Sequence, residues 1–190
     1  MIALLVVACE VAFWVLLAAG LALRYVARKP RLGAAVLLCE PLLEVVLLVV
    51  TAIDLKNGAE PDWKHGLAAV YIGFTVALGH STIKWVDVRV AHRWFGGPPP
   101  VKPPKYGMAR AIHEWRTAAR WTLAAVVALG LHQAAIWYVG PGGGVSSLQS
   151  WQQKMVLVIG INLVIAGSYT LFPKQAPKDA VAEREPADRT

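Results

Sequence analysis

Five unbroken apolar stretches, each about twenty residues long, set what this chain is able to fold into. They cover residues 2–23, 33–53, 67–88, 118–139 and 151–172. A helix needs about 20 apolar residues to cross the roughly 30 Å hydrocarbon core of a bilayer, so each stretch is long enough. Valine and isoleucine are plentiful inside them, but β-branching is no argument for strands here. In lipid every backbone N–H and C=O must be satisfied within the protein, which a helix does alone and a lone strand cannot. A β-barrel would need shorter segments of alternating polarity, and the sequence has none. Hydrophobic residues make up 56% of the 190 and charged residues 16%, where a soluble domain carries about 25% charged residues. These figures exclude a disordered chain, a coiled coil and a disulfide scaffold, and they argue against a soluble enzyme. The expected fold is all-α: a polytopic membrane protein, a bundle of five transmembrane helices.

The loops orient it. Sixteen of the nineteen Lys and Arg residues fall on one side of the predicted spans: four in 24–31, eight in 84–120 and four in the tail. Lys56, Lys64 and Lys154 are on the other. The excess belongs in the cytoplasm, giving an N-out/C-in topology in the cytoplasmic membrane. The first stretch has no basic residue before it and is full length, so it reads as an uncleaved span rather than a signal peptide. Trp63, Trp121, Trp137 and Trp151 fall near span ends, where indole rings sit well. Trp85 and Trp94 bracket the inner end of the third span, and Trp14 lies deep. The net charge of +7 follows from the same asymmetry and gives no reason to expect nucleic acid as a partner. The expected partners are the bilayer itself, anionic lipid headgroups at the basic inner face, and either further copies of the chain or a membrane protein complex. Asparagine occurs only at Asn57 and Asn162, among abundant alanine, valine and arginine, which points to a GC-rich bacterial genome.

The connecting segments are plain. Residues 96–105 form a Pro-rich cytoplasmic loop of polyproline character, a stiff spacer. Met108, Ile112, Trp115 and Ala119 recur at helical spacing among basic residues, and predict an amphipathic helix at the inner interface ahead of the fourth span. Gly140 to Gly144 lack the Gly-Lys-Ser/Thr ending of a phosphate-binding loop and read as a turn. Residues 174–190 have the composition of a disordered cytoplasmic tail. Cys9 and Cys39 lie at different depths and cannot pair.

Polar residues inside the spans carry whatever function the chain has. An ionisable group at bilayer depth is expensive and faces the bundle interior or a partner. Glu10, Glu40, Glu44, His80, Lys84, Asp87, His132 and Asn162 fall in or near the central slab, at least one in every span. Glu40, Glu44, Thr51 and Asp54 share one face of the second helix; Gly73, Ala77, His80, Lys84 and Asp87 share one face of the third. His132 shares its face with Ala125, Ala128 and Ala135, and Asn162 lies between Gly160 and Gly167. The pattern predicts a polar seam walled by small residues that let helices approach. By depth, Glu40 pairs with His80 or Lys84, and Glu10 with His132. Pro41 is expected to kink the second helix and free a carbonyl. At the inner face, Arg89, His92, Arg93, His113 and Arg116 form a basic cluster suited to phosphate headgroups.

Four functions compete for these residues. A structural or accessory membrane subunit without catalysis leads, because internal polar pairs fix helix register in many small membrane proteins. Ion or proton translocation along the Glu/His/Lys seam, in an oligomer, is the alternative. A membrane enzyme is disfavoured: adjacent His80 and Ser81 point about 100° apart, as do His113 and Glu114, and no hydrolase or metalloprotease motif occurs. A haem or metal site is disfavoured too. No Glu-x-x-His pair occurs, and His80 and His132 differ in depth by about 8 Å at a rise of 1.5 Å per residue. No cofactor and no catalytic residue is assigned.

Overall fold

The computed structural model describes residues 2–141 and 144–173, except the side chains of 2–7, 9 and 10. All regular structure among them is helical. The order is α1 (Ile2–Leu21), a π-helical turn (Ala22–Val26), α2 (Pro30–Leu37), α3 (Cys39–Lys56), a 3-10 turn (Trp63–Gly66), α4 (Leu67–Phe95), α5 (Gly107–Val139) and α6 (Ser146–Leu171). Four segments are long and apolar enough to cross a membrane: Pro30–Lys56, Trp63–Phe95, Gly107–Val139 and Ser146–Leu171. α1 adds twenty residues that are apolar but for one glutamate. The protein is thus all-α and polytopic, with four helices long enough to cross a membrane and the apolar α1 beside them.

The outer surfaces of these helices are apolar. Trp14, Leu42, Val76, Val156 and Leu157 are exposed, and Val164 is 72% exposed. A soluble protein rarely leaves contiguous apolar surface uncovered; on a membrane helix this is the lipid-facing side.

The predicted break in the second span is present. α2 ends at Leu37 and α3 begins at Cys39, with Leu38 between them. Pro41 has no N–H to give to the Leu37 carbonyl four residues earlier, and its ring crowds that carbonyl. The ladder is therefore interrupted at one residue, Leu38, which keeps helical φ and ψ, and Pro30–Lys56 remains one span.

The chain divides into two compact units. The first is Met1–Ala77 with Ala124–Val156. Within it α1 and α2 meet at two glycines: a Cβ on Gly33 would fall 2.7 Å from the Gly20 carbonyl oxygen, so only glycine allows this approach. Phe13 of α1 stacks at a tilt on Tyr71 of α4, 6.0 Å between ring centres. The core has two parts. Leu48, Ala68, Ala69 and Ile72 pack where α3 meets the start of α4. Ala52, Leu55, Ala135, Val139 and Leu148 pack α3 against α5 and the start of α6. α4 crosses α5 at Gly73, where a Cβ would lie 2.3 Å from the Ala124 carbonyl oxygen.

The second unit is Leu78–Leu123 with Leu157–Thr190. Here the indole N–H of Trp115 on α5 donates to Thr170 Oγ1 on α6 at 2.9 Å. Arg110 pairs with Glu114 one turn on and lies over the Tyr169 ring, 5.1 Å from its centre. Ala111, Ala118 and Ala166 are buried. With Ala125, His132 and Val139, the first two complete a seven-residue repeat of buried positions along α5, the spacing that keeps one seam facing inward.

Two expectations need correction. The amphipathic segment at Met108, Ile112 and Trp115 is not a separate interfacial helix. It is the start of α5, which runs unbroken for 33 residues, about 50 Å at helical rise. With no helix breaker between Gly107 and the apolar run, the chain has no reason to bend. Nor do Gly160 and Gly167 mark a close helix approach: a Cβ on either would meet nothing within 4 Å. Residues 174–190 lie outside the described residues.

Candidate functional site

The acidic residues and the threonine of α3 are buried or half-buried. On α3, Glu44 is 8% exposed and Thr51 is buried, while Glu40 and Asp54 are half-buried. The face follows from helical spacing, and Leu48 and Leu55 share it. Thr51 returns its hydroxyl to the Leu48 carbonyl at 2.9 Å. Glu44 Oε2 and Glu40 Oε1 are buried and have no hydrogen-bond partner among the described residues.

His132 on α5 is fully buried. Its Nε2 lies 2.9 Å from the carbonyl oxygen of Gly66, which ends the 3-10 turn before α4. A carbonyl only accepts, so Nε2 carries the proton; Nδ1 is then bare, and it has no partner among the described residues. Ala125, Ala128 and Ala135 of the same face are buried beside it. The Glu10 side chain lies outside the described residues, so the expected Glu10–His132 pair does too.

The same 3-10 turn is held at its other end. The Trp151 indole N–H donates to the Trp63 carbonyl at 2.7 Å, and its ring lies so close over Gly66 that a Cβ there would fall 2.1 Å from Trp151 Cδ1. Asp62 and His65 close a reciprocal capping box over the turn, and His65 Nε2 lies 3.9 Å from Asp54 Oδ2. Nearby, Gln152 donates to Gln133 at 3.1 Å, joining α6 to α5. Sequence reasoning missed this cluster. The sequence places Trp63 and Trp151 near span ends and gives no pairing for Gln133 and Gln152. The available signal was Gln133, an amide inside the apolar run of α5, which calls for a partner on a neighbouring helix.

In the second unit the predicted seam is more open. His80 and Lys84 are exposed on α4. Asp87 is half-buried and has a partner. Asn162 is half-buried and gives its amide to the Val158 carbonyl of its own helix at 2.8 Å. Two members of the basic cluster have local tasks. Arg89 stacks on Trp85, 3.5 Å from the ring centre. His92 Nδ1 lies 2.9 Å from the Gly97 carbonyl, where Gly96 turns the chain at φ +64° after α4. Arg93 and Arg116 are exposed and His113 is half-buried. Among the described residues, no three His, Cys, Asp or Glu side chains form a metal-binding group.

Over 180 residues the chain is 34% identical to the "Uncharacterized membrane protein YmcC" of Bacillus subtilis (strain 168), a match covering 94% of this chain and 96% of that relative. The chain belongs to the family of that protein and is an integral membrane protein. No family model matches it, and no solved structure does.

Proposed function

We propose that this protein is a non-catalytic structural or accessory subunit of the bacterial cytoplasmic membrane. The observation that carries this reading is the use made of its polar side chains. His132 and Trp151 bind the backbone carbonyls of Gly66 and Trp63, and Gln133 and Gln152 bind each other. Groups spent on fastening helices are not free to handle a substrate, and they fix register. The exposed Arg93 and Arg116 are suited to anionic headgroups at the inner face. Gentle purification from native membrane, with mass spectrometry of what co-purifies, tests the reading. A stoichiometric membrane protein partner is expected. A chain that purifies only with copies of itself overturns it.

One observation favours a second reading, ion or proton translocation. The partnerless oxygens of Glu40 and Glu44 are not explained by helix fastening. Proteoliposome flux that vanishes in Glu44→Gln would support it; flux unchanged by that substitution would remove it.

A further inference from the structure

Glu40 and Glu44 are one turn apart on α3 and lie one above the other on the same face. Glu44 is 8% exposed, and an oxygen of each carboxylate is buried without a partner. Two like charges at this spacing repel, and an unpaired charge at bilayer depth is strongly disfavoured. The helical ladder is also interrupted just before them, at Leu38. Pro41 denies the Leu37 carbonyl its helical donor. The turn is thus rich in acceptors, with at least two buried oxygens unsatisfied. Broken helices that set bare carbonyls beside carboxylates are a recurring way to hold cations within membranes.

We propose that the Glu40/Glu44 turn binds a small monovalent cation, a proton or a sodium ion, between the two carboxylates. The ligand set decides the class. Calcium takes about six to eight oxygens and magnesium a near-ideal octahedron, more than two carboxylates and a carbonyl supply. Softer transition metals prefer imidazole and thiolate, and no three such side chains gather among the described residues. A bound monovalent cation lies between the two charges, lessens their repulsion and gives the buried oxygens a partner. The site does not depend on whether the protein is an accessory subunit or a translocator.

Dicyclohexylcarbodiimide, which enters apolar sites and reacts with protonated carboxyl groups, tests this on the full chain in mild detergent. Adducts are mapped by peptide mass spectrometry, with NaCl exchanged for choline chloride at constant ionic strength. The expected result is an adduct on Glu44 or Glu40. Labelling slowed several-fold by sodium identifies sodium as the occupant. Labelling indifferent to sodium, and falling about tenfold per pH unit on the alkaline side, identifies a proton. Glu44→Gln keeps the shape of the side chain, and in it the sodium dependence at Glu40 should be lost, or, where the occupant is a proton, the midpoint of its pH dependence should shift. The proposal is overturned if neither glutamate is labelled between about pH 5 and 9, or if Glu40 labels in Glu44→Gln as it does in the parent. Circular dichroism and size-exclusion chromatography establish that each variant is folded.

Discussion

The imidazole Nε2 of His132 and the carbonyl oxygen of Gly66, 66 residues apart in the chain, lie 2.9 Å from each other in a fully buried contact. The bond ties the last third of α5 to the junction from which α4 starts. Replacing His132 by Phe keeps a ring of similar size but takes away the donor, leaving a buried carbonyl short of a partner. Such a loss costs about 1–3 kcal/mol. The thermal unfolding midpoint of His132→Phe in detergent is expected to fall accordingly; an unchanged midpoint would mean that the contact contributes nothing.

Glycine at 73 is required by the neighbour it meets. A Cβ there would sit 2.3 Å from the Ala124 carbonyl oxygen, and backbone cannot move aside as a side chain does. Gly73→Ala should push α4 and α5 apart and destabilise by about 1–3 kcal/mol, the usual penalty of overpacking. Gly160→Ala is the contrast, because a Cβ on Gly160 meets nothing within 4 Å; it should be neutral or slightly stabilising. Equal losses from the two, measured by unfolding in detergent, would contradict the crossing at Gly73.

These contacts show what a sequence of this kind discloses. The spans were legible because apolar length is a local property, and the α2/α3 break because a proline acts on the residue four before it. The buried stripes Glu44–Thr51 and Ala125–Ala128–His132–Ala135 followed from helical spacing alone. The identity of partners did not. Nothing around His132 marks the Gly66 carbonyl as its acceptor, since a backbone carbonyl is present at every position. His80 and Lys84 sit on the predicted face of α4 yet are exposed. The face is covered near Gly73 and open further along, and periodicity does not report how far a neighbouring helix extends. Trp115 falls on the apolar stripe of its helix by spacing, whereas its N–H reaches Thr170 across 55 residues.

That Trp115–Thr170 bond allows a clean measurement. Trp115→Phe removes the donor together with part of the ring, and Thr170→Val removes the acceptor with little change of shape. A double-mutant cycle on unfolding free energy should give a coupling of about 0.5–1.5 kcal/mol, the net value of one hydrogen bond. Fluorescence of Trp115 should also respond to Thr170→Val. Strictly additive single losses would mean that the two side chains do not interact in the membrane-embedded protein.

Orientation rests on the distribution of Lys and Arg, and it is open to direct chemical test. If the excess of basic residues marks the cytoplasm, the proline-rich segment at Val101 faces inward and the start of α6 at Ser146 faces outward. Both positions suit a probe: Val101 is 96% exposed, and Ser146 is exposed at a helix start. Single cysteines are placed at these sites in a chain carrying Cys9→Ala and Cys39→Ala. In intact cells a membrane-impermeant maleimide should then label Ser146→Cys at once, and Val101→Cys only after permeabilisation. The opposite pattern would invert the topology, putting the Arg93 and Arg116 side chains on the outer face and removing the argument that they meet the anionic inner leaflet.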